Sequence, residues 1–518
     1  MIKIIRRRMR YSVFLLVIIF ISCKNTENSQ DIVKKHPNIV IVLADDLGYS
    51  DIGAYGSEIN TPNLDQVAKD GIRFTQMHNT SKCFPSRAVL LTGLYAQQAD
   101  MHQKPEDFHN SVLFGEVLKS AGYNTFFVGK HHSTDNPFDW GFDHYKGLRD
   151  GAANYFNPGL QREGEVMPAQ KRYGKRVFAF DDSIVQPFTP PKDYYATHAW
   201  TDWAIDLLEK YKDDDSPYLL YLAYQAPHDP LHAPEEEIEK YDGIYDVGYE
   251  EIAQKRYERQ RSVNLLDERY PRSEPVFPDW EKLSDSVRQD EIRRMQVYAA
   301  MIDILDQNIG RVIDYIKSTG EWENTLFVFA SDNGASAEVV EIGDGKVGAM
   351  DRWSSLKANW ANVSNTPFRK FKNFSYEGGT TTPFIVHWPD RIKEGGRIDH
   401  TPLHFIDIMP TLVDISGAMY PENYKGEKVY PMQGESIMPL INGESLSRQS
   451  PIYFNWRNGS ALRNDDWKLV REGNKWELFD MHSDRTETNN ISDENKEVFE
   501  ELKSAWERWA EKMKIELE

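Results

Sequence analysis

The stretch PNIVIVLADD, residues 37–46, constrains the fold more than any other part of the chain. Its apolar, β-branched run shows no polar alternation, so a strand built from it must be buried on both faces. That is the pattern of a strand inside a parallel sheet with helices on each side. The run ends in two adjacent carboxylates, Asp45 and Asp46, followed by a glycine turn. The same unit recurs. TPNLDQVAKDGIRFTQMH predicts a helix stopped at Gly71 and then a strand, and SVLFGEVLKSAGYNTFFVGKHH predicts a helix, Gly122 and a short strand running into Lys130. YYATHAWTDWAIDLLEKY leads through an acidic turn into YLLYLAYQ and a Pro/His loop. A long amphipathic helix precedes the buried strand Thr325 to Ala330. Helices alternating with apolar strands predict an α/β fold with a large, mixed, mostly parallel sheet.

From about residue 420 the pattern changes. SPIYFNW, SALRNDDWKLVRE and KWELFDM read as short antiparallel strands, and the last helix carries Val498, Phe499, Leu502, Trp506, Trp509 and Met513 on one face. A small C-terminal α+β part with an antiparallel sheet is expected there. Residues 150–195 and 235–290 are charged, Tyr-rich and irregular, and are expected to form loops or helical insertions over the sheet edge. The division expected is 1–22 as a signal peptide, 23–35 as a flexible tether, 36–420 as the catalytic domain and 421–518 as the C-terminal part.

The N-terminus carries a basic segment from Lys3 to Arg10, an apolar stretch from Tyr11 to Ile21, and FISC ending at Cys23. The apolar stretch is shorter than the roughly 20 residues a spanning helix needs. FISC resembles the lipobox of bacterial lipoproteins, which makes Cys23 the lipidation site. An ordinary cleaved signal or a short membrane anchor is the alternative, and each reading exports the chain. The sequence has only two cysteines, so once Cys23 is taken Cys83 has no partner for an intramolecular disulfide. A net charge of −20 speaks against nucleic acid as a partner and requires a local cationic pocket for any anionic substrate.

In open α/β sheets ligands bind beyond the carboxyl ends of the strands. Polar residues just after the apolar runs are therefore the candidates. Asp45, Asp46, Asp332 and the amide oxygen of Asn333 form a hard oxygen set that suits Ca²⁺ or Mg²⁺ and lacks the ligands zinc prefers. Taken singly, such residues are also ordinary turn formers. Arg87, Lys130, His132, His228 and Lys372 form a basic set suited to an anion. The prolines of APHDPLHAP fix where His228 points, while His232 reads as structural. Cys83, in KCFPSRAVLLTG ahead of a helix expected to start near Ser86, could be an activated nucleophile or a buried structural thiol.

CFPSRAVLLTG is similar to the C-x-P-S-R-x-x-x-L-T-G signature of the type I sulfatases, in the alkaline phosphatase superfamily. VLADDLGYSDIGAYG and SDNG resemble that family's two metal segments. GKHH resembles its G-K-x-H, HDPLHAP its histidine loop, and FKNFSYEGG the loop with its sulfate-binding lysine. ALRNDDWKLV and WELFDMHSD match its C-terminal part, and the likeness covers roughly residues 36 to 518. Leu94 stands where Arg is common, Phe84 where a small residue is usual, and His131 where Trp is common.

The resemblance implies an alkaline phosphatase-like fold and a sulfatase that cleaves sulfate monoesters, on a sulfated carbohydrate. It implies that a maturation enzyme oxidises Cys83 to formylglycine, whose hydrate attacks sulfur. Asp45, Asp46, Asp332 and Asn333, with the modified residue 83, would hold one Ca²⁺. Arg87 would steady the nucleophile, Lys130, Lys372 and His228 would contact sulfate, His228 or Lys372 would protonate the leaving alcohol, and His132 would act as the later base. The rivals are a phosphonate or phosphate ester hydrolase of the same superfamily and an inactive, lipid-anchored binder of sulfated glycans.

Overall fold

The computed structural model describes residues 36–457 and 459–515; the expected signal, tether and lipidation site at Cys23 lie outside them. Its main sheet has 11 strands: β1 (Asn38–Asp45), β2 (Ile72–His78), β3 (Asn124–Gly129), β4 (His144–Leu148), β5 (Phe178–Phe180), β6 (Ser183–Val185), β7 (Tyr218–Pro227), β8 (Thr325–Ser331), β9 (Thr381–His387), β10 (Arg397–Asp399) and β11 (Leu403–His404). The order is β10-β2-β9-β8-β1-β7-β3-β4-β5-β6, with β11 paired to β2. The central strands β8, β1, β7, β3 and β4 run parallel. β9 runs antiparallel to β8 and β2, and β5 and β6 form an antiparallel edge.

The unbroken apolar run follows from this topology. Val40 and Val42 face one side and pack with the helices Ala196–Tyr211 and Asp285–Ser318. Ile39, Ile41 and Leu43 face the other, with the helices Cys83–Thr92 and Phe114–Ser120. Burying each of these side chains is worth about 1.5–3 kcal/mol, so a polar substitution at any of these positions in β1 disturbs one core or the other.

Two expectations are corrected. The helix placed near Ser86 starts at Cys83, because Pro85 takes an early helical position, where a missing N–H costs nothing. Part of the irregular region 150–195 is itself sheet: β5 and β6 extend the edge beyond β4, where a strand would otherwise present unpaired backbone.

The C-terminal part holds a small hairpin, β12 (Asn423–Tyr424) with β13 (Glu427–Lys428), and a four-stranded antiparallel sheet, β14 (Ile452–Trp456), β15 (Gly459–Asn464), β16 (Trp467–Glu472) and β17 (Lys475–Asp480). The helix Lys496–Lys512 covers it through Leu502, Trp506 and Trp509, which join the core on the Cys83 side of the main sheet. Polar contacts add to this seam. Lys468 on β16, fully buried, lies 2.6 Å from Glu377 and 2.8 Å from Glu487. Glu377 opens the short helix that leads into β9. No helix among the described residues is long and apolar enough to cross a membrane.

Candidate active site

Strands β8, β1, β7 and β3 are consecutive neighbours, and their carboxyl ends meet at one edge. β1 delivers Asp45 as its last residue and Asp46 just after it. Asp332 and Asn333 follow β8, His228 follows β7, and Lys130 follows β3. Gly129 ends β3 with φ +115°, and a Cβ there would lie 2.1 Å from the Ala223 carbonyl oxygen, so only glycine lets Lys130 turn in beside β7. Asp46 (φ 63°) and His132 (φ 66°) take the left-handed region, where side-chain-bearing residues are uncommon.

Cys83 is the first residue of its helix and is 1 % exposed. Its Sγ lies 3.7 Å from Asp46 Oδ1. Asn333 Nδ2 donates to that same oxygen at 2.6 Å, and Lys372 Nζ donates to Asp46 Oδ2 at 2.8 Å. Lys130 Nζ bonds Asp45 Oδ2. Arg87 is fully buried; its Nε donates to Asp332 Oδ2 at 2.7 Å and its Nη1 to the Lys130 carbonyl at 2.7 Å. Asp332 Oδ1 accepts the Asp46 N–H at 3.3 Å. Atoms of Asp45, Asp46, Cys83 and His228 lie within 4.8 Å of one another.

The donor set is compatible with a cation on these atoms. Asp45 Oδ1 and Asn333 Oδ1 are buried and have no hydrogen-bond partner among the described residues. Two buried, unpaired oxygens beside a second carboxylate are costly unless a cation meets them. The carboxylates of Asp45 and Asp46 are the hard oxygens Ca²⁺ requires, while the Cys83 thiol and the His228 ring stand in the same group of atoms and Asp332, held by Arg87, lies outside it.

The histidines differ electrostatically. Burial would push His228 down, but Asp46 and Asp45 outweigh it and hold its imidazole above the usual range. Its Nδ1 donates to the Asp229 carbonyl oxygen at 2.7 Å and lies 3.0 Å from the Asp229 carboxylate, so Nε2 is the free proton carrier, 3.5 Å from Asp46. His132 goes the other way. Burial, then Lys130 and Arg87, hold it neutral, well below the usual range. Burial likewise pushes the Cys83 thiol up, against the pull of Lys372 and Lys130, which disfavours a thiolate nucleophile. His232 is buried and neutral, pushed down to about 4 by burial, and bonds the Arg352 carbonyl, as a structural histidine does.

Cys83, Phe84, His132, His228 and Lys372 line a cavity of about 990 Å³. Sequence reasoning missed Asp229, although it adjoins His228, and Glu338, which bridges Lys82 at 2.6 Å and Lys372 at 3.3 Å. Burial would raise Glu338, but Lys372 and Lys82 keep it well below the carboxylate range. It also missed the cationic wall formed by Lys104, Arg149, Lys171, Arg172 and Arg176. Most of that wall comes from the irregular region 149–176, where no periodic pattern marks which side chains face inward.

Residues 37–418 match the family described as Sulfatase, and residues 368–512 match one described as N-sulphoglucosamine sulphohydrolase, C-terminal. The chain is 31% identical to an arylsulfatase of Klebsiella aerogenes, over 81% of this chain and 95% of the relative. It is 25% identical to an N-acetylglucosamine-6-O-sulfatase of Bacteroides thetaiotaomicron, over 93% of this chain and 87% of the relative. Among solved structures it is similar to Ps i-CgsB in complex with k-i-k-neocarrahexaose, with a TM-score of 0.67, 26% identity and coverage of 92% of this chain and 93% of that one.

Proposed function

Because the chain belongs to the sulfatase family and is a sulfuric ester hydrolase, we propose that it removes sulfate from a sulfated carbohydrate, using formylglycine made from Cys83 and one calcium ion. The observation that carries the reading is the convergence of Cys83 with Asp45 and Asp46 at the floor of a cavity that also holds Lys372, His132 and His228. Asp45, Asp46, Asp332 and Asn333, with residue 83, would hold the calcium. Formylglycine would supply a hydroxyl nucleophile, and calcium positive charge against the sulfate oxygens.

The chain's own residues do the rest. Lys372 and Lys130 place two ammonium groups against the sulfate, each poised by a carboxylate. His228, protonated and aimed through Nε2, gives its proton to the leaving alcohol oxygen. His132, kept neutral, takes a proton from residue 83 when sulfate departs. Arg87 fixes Asp332 and the Lys130 backbone relative to each other. The buried floor excludes bulk water, which strengthens each of these interactions.

Three observations favour a sugar over a simple aryl group. The cavity is at the upper end of the range for small-ligand sites. One relative is named for a sugar sulfate, and one structural neighbour is described in complex with an oligosaccharide. The same reading takes residues 36–420 as the catalytic domain and 421–518 as the C-terminal part, with export and lipidation at Cys23. A screen of sulfated mono- and disaccharides beside an aryl sulfate and a phosphodiester tests it. Sulfate release from a saccharide is expected; faster turnover of the phosphodiester than of every sulfate ester would overturn it. Mass spectrometry of the Cys83 peptide is expected to show the aldehyde.

A further inference from the structure

One sulfate ester needs only the cations at the cavity floor. The wall above them carries more. Lys104, Arg149, Lys171, Arg172 and Arg176 line the same cavity, and the lining carboxylates are Asp150 and Glu338. Glu338 is already engaged by Lys82 and Lys372. Asp150 accepts from Arg172 Nη2 at Oδ1, at 2.6 Å, and from the Val177 N–H at Oδ2, at 2.7 Å. Arg176 is left 3.6 Å from Asp150, too far for a hydrogen bond, although it is only 6 % exposed. Its Nε is buried without a partner among the described residues, and so is the Nε of Arg149. Neither Arg149 nor Lys171 forms an ion pair among the described residues; the Lys171 ammonium lies 5.1 Å above the Trp353 ring.

A buried guanidinium lacking a full counter-charge is expensive, and breaking even against desolvation takes a hydrogen-bonded anion. The burial of Arg176 pushes it down from the usual arginine value despite Asp150. Arg176 and Lys171 line the same cavity as His228, so they face the space a substrate held at the floor would fill. A chain with net charge −20 repels polyanions at long range, so a local wall of this sign marks a site for one.

Resting on the sulfatase reading, we propose that Arg149 and Arg176, with Lys171 at the rim, bind a second anionic group on the saccharide whose sulfate is cleaved. That group is a second sulfate or a carboxylate, so the substrate class is a multiply anionic glycan. Two planar guanidinium forks suit either group, since both present paired oxygens.

The test compares kcat/KM for an aryl sulfate and for a panel of sulfated saccharides. Each saccharide is offered with no further anion, with a second sulfate, and with a neighbouring uronate. Wild-type protein, R176Q, R149Q and R176K are measured. Wild type is expected to prefer members with two anions, and whether the sulfate or the uronate arm leads identifies the group. R176Q and R149Q should each cut that preference about 10–100-fold, chiefly through KM, and R176K should restore part of it. Calorimetric titration of the C83A protein with the same saccharides should show the same loss in affinity without turnover. Equal losses on all substrates would mean that the arginines only brace the Asp150 turn. A wild-type preference for singly charged sugars would overturn the proposal. Absence of turnover on every sulfate ester would sink the sulfatase reading instead, and the titration would still read the second anion site.

Discussion

His228→Ala should separate the sulfate-binding role of His228 from its role as a proton donor. The ring is 8 % exposed on its side chain, its Nδ1 is held by Asp229, and Asp46 and Asp45 outweigh burial and hold its imidazole above the usual range, which favours the charged form. A proton so placed is delivered where water reaches poorly, so the full range of general-acid assistance applies, about 10²–10⁴-fold. That is about 3–5 kcal/mol of barrier, at 1.36 kcal/mol per tenfold. A sugar alcohol is a poor leaving group and should bear all of it. An activated phenol leaves as the anion and should lose about tenfold or less. The ratio of the two losses, from absorbance with an aryl sulfate and released sulfate with a sugar sulfate, should therefore be at least about tenfold. His132 is neutral and acts after the alcohol has gone, so His132→Ala should release about one equivalent of phenol per active site in stopped flow and then stall. Equal losses for sugar and aryl substrates in His228→Ala would refute the reasoning, because a residue that only binds sulfate does not sense the leaving group. A burst in His228→Ala and none in His132→Ala would reverse the two roles.

Three further outcomes are expected. Cys83→Ala should fold with an unchanged circular dichroism spectrum and lose essentially all turnover; wild-type activity in that variant would end the proposed mechanism. Removing divalent cations with a chelator should abolish activity, with Ca²⁺ restoring it better than Zn²⁺, since the unpaired oxygens of Asp45 and Asn333 are hard ligands; restoration by Zn²⁺ alone would point to Cys83 and His228 as ligands. Lys468→Met should destabilise the protein by about 3–5 kcal/mol in denaturant titration, because it removes the ammonium that Glu377 and Glu487 share and leaves Glu377 only His78 and, at 3.9 Å, Arg485. A loss under about 1 kcal/mol would mean that the two carboxylates are neutral in the folded state.

Residues fixed by strand ends were the ones legible in the sequence. Asp45, Asp46, Asp332, Asn333, Lys130 and His228 each follow an apolar run directly, and sheet topology alone brings them to one edge. Lys372 lies in a loop between two short helices, so no strand end marks it; it entered the basic set by its charge, and only the likeness of FKNFSYEGG to a known family gave it a sulfate-binding role. Arg149 and Arg176 were not found. Their inward orientation depends on turns around Asp150 and on the β5–β6 edge, and a charged, irregular stretch carries no period from which to read it. Lys468 and Glu377 are 91 residues apart, and only packing of the second sheet onto the first shows that they pair.

The burial of Cys83 imposes an order in time. In the folded protein Cys83 and Arg87 are each 1 % exposed, and Pro85 and Ser86 are buried with them in the first turns of a helix. An enzyme that reads this segment by its side chains must reach them, and the native state buries them in a helix. On the proposed reading, conversion must therefore reach the chain while it is still being made or exported. A molecule that folds first keeps its thiol at the cavity floor with the rest of the segment buried behind it, and stays inert. The active fraction of a preparation is then set by a race between two rates, folding and oxidation, so slowing the first or supplying more of the second raises specific activity without altering a single residue of the site.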